Sequence, residues 1–308
     1  MAAEVLLTVV TSHIPSTLAK QYSLDSTGNL SKPKPAGQII EGDVQRFSIC
    51  NAQEFADLLM SLQHNQALIY GVAGPERSKL MSQKTFEAAD KPANVLTRTK
   101  NHFAWPDGPG VLMLDYDPQD GQPALNRLQF IHAITDVIPE LEKSAYVWWC
   151  SSSSLLYHDH EQLQGIRGQR LYILVQNSQD IERAGAVLFK RLWLAGLGFY
   201  AISRAGTALE RTIIDASVWQ TNRLDFASGA KCIPPLKQRR GEPCTHDGAL
   251  LDTTAALPNL TPKEEADYQA VKISALEMVQ PDVVKIRNNY VHVVWRCHLF
   301  KNCFFTLW

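Results

Sequence analysis

Apolar positions fall at two spacings along this chain, and the switches between them predict its elements. From Asn51 to Gln63, the residues Phe55, Leu58, Leu59 and Leu62 recur at helical intervals, with Asn51 placed as cap and Glu54 three positions later. That is an amphipathic helix with a capping-box start. The run QALIYGV after it is short and apolar, and reads as a strand on which the helix packs. A polar, Lys-rich stretch from Ser78 to Lys100 follows. The turn cluster WPDGPG then leads into VLMLDYDP, a buried strand ended by acids and a proline. Next come a helical segment around Ala124 to Ile134, the strand AYVWWC running into four serines, a polar loop to Gly168, and the strand RLYILV. Ser178 caps IERAGAVLFKRLWLAGLG, whose helical spacing is closed by glycine. Strands FYAIS and TIID come after it. Helices and strands interleave, yet several strands succeed one another through loops alone, which predicts a mixed α+β sheet rather than a parallel doubly wound one.

Past Pro234 the pattern changes. PPLKQRRGEPC is rich in proline and basic residues, and LTPKEEADYQAVKISALEMV has helical spacing with Thr261 as cap and Pro262 in the first turn. Residues 1–255 are therefore expected to form one domain, and 256–308 a helical linker and tail, the truncated start of a further module. The aromatic run NNYVHVVWRCHLFKNCFFTLW has no reading in the pattern beyond truncation or a changed frame.

Composition narrows the function classes. A chain of 308 residues with 45% hydrophobic content has enough apolar side chains for a real core. Lys+Arg 30 against Asp+Glu 31 leaves a net charge of -1, so there is no global cationic field and any nucleic-acid contact must use a local patch. No apolar run has the length of a membrane span and the start lacks the basic head of a signal peptide, so the expected location is cytoplasmic, with no membrane partner. The six cysteines include no C-x-x-C pair. Cys232, Cys244 and His246 are the nearest approach to a zinc set, one ligand short of a tetrahedral site.

The candidate chemistry starts at the end of VLMLDYDP. Alternation in a strand sends residues i and i+2 to the same face, so Asp115 and Asp117 present two carboxylates side by side on a rigid support. Like charges so placed suit a hard divalent cation that also takes phosphate oxygens. Asp215, in RTIID, is a further acid at the end of an apolar run and would complete a two-metal set for phosphoryl transfer. Read singly, each is an acid ending a strand in solvent; the case rests on the set. Between them lie serines and glycines suited to phosphate contact. Arg167, Arg170, Arg204, Arg211 and Arg223 offer cations whose planar fork grips phosphate. The cluster Lys231, Lys237, Arg239 and Arg240 could form a phosphate track or be a solvated linker. Trp148, Trp149, Trp193 and Trp219 are candidates for base stacking, with Trp193 expected in the core.

In this order, VLMLDYDP, then SSSS and GQRLY, then TIID with NRLDF downstream, the chain resembles the three-motif pattern of archaeo-eukaryotic primases, in particular the primase-polymerase domains of bacterial plasmids, integrative elements and phages. The resemblance spans roughly Leu68 to Leu236. It implies metal-binding catalytic carboxylates at Asp115, Asp117 and Asp215, and nucleotide contacts from Ser152, Ser153 and Gly168. At the position of the family's histidine this chain has Arg170, expected with Arg223 to be a further nucleotide contact. The implied fold is α+β, an RRM-like mixed-sheet catalytic core with an amino-terminal α/β subdomain. The implied activity is nucleotidyl transfer on single-stranded DNA with Mg2+ or Mn2+ and nucleoside triphosphates, beside a helicase module or other replication proteins.

Two other classes compete. A module that keeps the fold and binds nucleotide or single strands without synthesis fits the arginine at the histidine position. A rolling-circle nuclease or relaxase is suggested by His158-Asp159-His160, although Asp159 stands where such sites carry an apolar residue. No P-loop signature occurs.

Overall fold

The computed structural model describes residues 4–31, 37–119 and 121–303, with backbone alone from 291 onward. Its contacts divide it into two units, Met1–Ala186 with Ile214–Pro258, and Val187–Ile213 with Asn259–Trp308. The expected boundary at 255/256 lies close to Pro258, whereas residues 187–213 group with the carboxy-terminal segment.

The strands of interest are, in chain order, β1 (Val5–Ile14), β2 (Glu41–Ile49), β3 (Gln66–Ile69), β4 (Arg77–Met81), β5 (Val95–Thr97), β6 (Gly110–Tyr116) and β7 (Tyr146–Cys150). They continue with β8 (Leu156–His158), β9 (Glu161–Gln164), β10 (Gln169–Val175), β11 (Gly198–Ile202), β12 (Ala208–Thr212), β13 (Leu236–Gln238) and β14 (Cys244–His246). In the first unit one sheet has the order β3-β1-β2-β4-β5, a second has the order β14-β7-β10-β6, and a smaller third has the order β9-β8-β13. The class is mixed α+β, as the interleaved pattern predicts.

Helix α1 (Ala52–Ser61) forms where the periodicity places it. The Asn51 side chain accepts from the Glu54 N–H at 2.9 Å, and Glu54 reaches back to the Cys50 N–H at 2.7 Å. The helix buries Phe55 and Leu59. Phe55 meets the ring of Tyr172 edge-on at 5.1 Å, which ties α1 to the second sheet. Helix α2 (Arg127–Thr135) has a complete capping box from Asn126 and Gln129, and its Phe130 packs on Tyr116 at 5.1 Å.

The second unit is built from the later turns of α3 (Ile181–Leu194), the hairpin β11/β12 and the long helix α4 (Pro262–Cys303). Fully buried Trp193 sits edge-on to Tyr200 at 5.4 Å and to Tyr268 at 6.4 Å. Lys272 pairs with Glu210 at 2.9 Å, and Tyr268 donates a short hydrogen bond to the same carboxylate. The helix runs on through Pro281, beyond the periodic stretch that ends at Val279. Among the described residues no helix is long and apolar enough to cross a membrane.

Candidate active site

The antiparallel register of β6 and β10 sets Arg170 directly opposite Asp115, with Leu171 opposite Leu114. On the other side of β10, Trp149 of β7 faces Arg170. Asp115, Arg170 and Trp149 therefore share one face of the second sheet, and Leu114, Leu171 and Trp148 the other. At the end of β6, Tyr116 bridges to Ile214, and the Asp215 N–H donates to the Asp115 carbonyl at 2.9 Å. Two acids 100 positions apart in the chain thus become neighbours through the backbone. The Asp215 side chain accepts from the Ser217 N–H at 2.9 Å and from the Ser217 hydroxyl at 2.8 Å.

Electrostatics tie the acids together. Burial raises the Asp115 pKa to about 6, the Arg170 charge opposes that rise, and the charges of Asp117, Asp225 and Asp215 add to it. Asp117 and Asp215 are solvent-exposed. Among the described residues no three or more His, Cys, Asp or Glu side chains are already gathered as a metal site. The three predicted acids are brought into one electrostatic neighbourhood without closing around a point.

Beside Asp117 lies a small cradle at Gly168. A Cβ on Gly168 would collide with the Ser151 hydroxyl and come within 2.8 Å of Asp117 Oδ1 and 3.0 Å of Ser153 Oγ. Ser151 and Ser153 share a hydrogen bond at 2.8 Å. Ser154 donates to the Gly168 carbonyl at 2.8 Å and accepts from the Arg167 N–H at 2.9 Å, fixing the loop. Of the predicted serines, Ser153 is in the cradle and Ser152 is buried. Ser151, its neighbour in the serine run, is the residue the motif did not single out.

Arg170 has an internal partner that sequence reasoning missed. Its Nη1 lies 2.6 Å from Asp225 Oδ1, and its Nε 3.4 Å from Asp115 Oδ1. Tyr70 donates to Asp225 Oδ2 at 2.6 Å and Tyr172 to the same oxygen at 3.0 Å. Asp225 is 1% exposed, and its backbone pairs with Leu68 in both directions. The guanidinium expected to meet a triphosphate is committed to two carboxylates, which hold its pKa well above the usual arginine value despite desolvation. The available signal for Asp225 was the alternation Leu224-Asp225-Phe226, a lone acid flanked by two apolar residues.

The basic cluster divides. Arg240 lies 3.5 Å over the Trp149 ring and donates to the carbonyls of Cys150 at 3.2 Å and Ala227 at 3.0 Å. Desolvation lowers its pKa to about 10. Lys237, opposite Tyr157 in the third sheet, is exposed, as is Arg239, which stacks on Tyr157 at 5.1 Å and donates to the Asp159 carbonyl. Lys231 is half-buried in a short strand pairing with Gln21–Tyr22. Arg223 is exposed, two residues before Asp225, while Arg204 and Arg211 belong to the other unit.

Several further candidates have other partners. Trp148, Trp149, Trp193 and Trp219 are all buried. Trp219, considered for base stacking, presses on the Gly185 backbone and donates to the Met113 carbonyl at 2.9 Å. Cys244 accepts from Arg127 at 2.6 Å, His246 stacks on Tyr146 at 4.7 Å, and Cys232 lies in the strand beside Tyr22. His158 ends β8 and Asp159 and His160 form the turn into β9. Comparison with protein-family models, curated proteins and solved structures finds no match to this chain, so its function is read from this site.

Proposed function

We propose that this chain is a metal-dependent nucleotidyltransferase of the primase-polymerase kind, extending a strand on a single-stranded DNA template from nucleoside triphosphates. The observation that carries the reading is the backbone hydrogen bond from Asp215 to Asp115, which joins the third acid to the strand that bears Asp115 and ends just before Asp117. An RRM-like core is the corresponding fold proposal, supported by the four-stranded antiparallel sheet that carries these acids.

The donor set fits Mg2+ or Mn2+. Its atoms are hard carboxylate oxygens, and their mutual repulsion, which adds to the burial that chiefly raises the Asp115 pKa, is what a cation relieves. Asp117 is exposed and free to turn toward one; Asp215 is exposed but would exchange its Ser217 hydrogen bonds for the ion, and Asp115 is the anchored member. When bound, the ion supplies positive charge to phosphate oxygens and to the attacking hydroxyl of the growing strand.

The protein's own groups orient the reactants. Arg170 fixes the Asp115 carboxylate from beneath while Asp225 neutralises the rest of its charge. The hydroxyls of Ser151 and Ser153, in the space left by Gly168, are donors for a triphosphate beside Asp117. Lys237 and Arg239, with Lys231, are the cations available to a template backbone. Replication proteins, including a helicase module, are the partners such an activity implies.

A binding module without synthesis is the second reading, favoured by acids that are not gathered around one point. Incubation with single-stranded DNA, labelled nucleotides and Mg2+ or Mn2+ separates the two. Products lengthened by added nucleotides, and lost in EDTA, are expected. Template retention with no product in either metal would favour the binding module.

A further inference from the structure

A cavity of about 400 Å3 lies against the first sheet, floored by Ile39, Leu80, Leu224 and Phe226 and edged by Arg98. Its size falls in the range of small-molecule sites, and beside the apolar floor it has a polar side of Gln38, Ser82, Gln83, Arg98 and Thr99. Leu224 and Phe226 alternate with Asp225, so they face away from the carboxylate that Arg170 holds. The cavity is therefore distinct from the acid cluster.

Its charge is unbalanced. Arg98 is anchored by reciprocal hydrogen bonds with Asn222, its Nη1 donating to the Asn222 carbonyl and the Asn222 amide to the Arg98 carbonyl, each at 3.0 Å. Among the described residues no carboxylate pairs with Arg98 or with Arg223. Arg223, just outside the cavity lining, follows Asn222 directly in the chain and is exposed beside the carbonyl that Arg98 holds; desolvation, and then the like charge of Arg223, lower the Arg98 pKa. An anion relieves that repulsion, and phosphate matches the guanidinium fork best.

We propose that this cavity binds a free mononucleotide, its phosphate on Arg98 and Arg223 and its flat ring on Leu224 and Phe226. The site needs no divalent cation, and it stands whether or not the chain polymerises.

Calorimetric titration of the full chain with adenosine 5′-monophosphate in EDTA tests it. Saturable binding at one site is expected, with adenosine alone and inorganic phosphate alone each at least ten-fold weaker. Arg98→Glu should weaken binding at least ten-fold and Arg98→Lys less, while Asp117→Asn leaves it unchanged. Arg98 is exposed, so its variants should fold; if the melting curve of Arg98→Glu is lost, Arg223→Glu gives the same reading. No binding of the monophosphate, wild-type affinity in the glutamate variant, or loss of binding in Asp117→Asn would each overturn the proposal, the last by moving the nucleotide to the acid cluster.

Discussion

Asp225 is a buried acid whose Oδ1 makes an ion pair with Arg170 but no hydrogen bond, and whose Oδ2 accepts from two tyrosine hydroxyls. Removing it by Asp225→Ala strands a buried guanidinium and two phenols, and should cost about 3–5 kcal/mol in denaturant unfolding. Tyr70→Phe removes one hydrogen bond to a charged group and should cost about 1.5–3 kcal/mol. Asp115 makes a pH prediction. Its folded pKa of about 6 lies above the ordinary 3.8, so the folded state holds this proton more tightly than the unfolded chain does. The stability this contributes is fully present below pH 3.8 and is lost as pH rises through about 6. Two pKa units correspond to roughly 3 kcal/mol. Melting temperatures from pH 4 to 7.5 should therefore fall more steeply in the wild type than in Asp115→Asn; equal slopes would refute the assignment. At this scale the sequence was informative about Asp115 and Asp117, because strand alternation is local. It assigned Arg170 to a triphosphate rather than to Asp225, since an arginine's partner on a distant segment leaves no mark in its own neighbourhood.

The elements explain why some predicted residues meet and others do not. Gly168 is required by space, because the Ser151 hydroxyl and the Asp117 carboxylate occupy the place a Cβ would take. Gly168→Ala should push these side-chain ends aside, cutting nucleotide addition ten-fold or more while the melting temperature moves by only a few degrees; an active variant would show that the cradle is not used. The basic cluster past Ala230 reads as one feature in the sequence, but strand geometry splits it. Lys237 stands exposed on the third sheet, whereas Arg240 is pinned over Trp149. Lys237→Ala should leave stability within about 0.5 kcal/mol and reduce the log–log salt slope of single-strand binding by about 0.7. Arg240→Ala should instead destabilise the fold. Periodicity identified α1 and its cap correctly because a helix face is written in consecutive residues. It could not say that Arg240 would turn inward, which depends on the indole of another strand.

For the whole molecule, the pattern places a change of character past Pro234 and a boundary at 255/256, but not the regrouping of residues 187–213 with the helix beyond Pro258. The apolar stripe of α4 announces a helix without naming its partner, and the partner is Trp193, 75 positions before Tyr268. Ending the chain at Pro258 should expose Trp193 and leave Glu210 without Lys272 and Tyr268, so the shortened protein should show red-shifted tryptophan emission and aggregate on warming. An unchanged spectrum and melting curve would show that the second unit does not depend on α4. The central claim is that three acids, assembled by one backbone hydrogen bond, carry nucleotide addition. It is tested most directly by the rate of primer extension on a single-stranded template in Mn2+, wild type against Asp117→Asn, with melting curves alongside. Loss of extension by at least a hundred-fold, with a melting temperature unchanged or raised by relief of like-charge repulsion, is the predicted result. Extension by Asp117→Asn at the wild-type rate would contradict it.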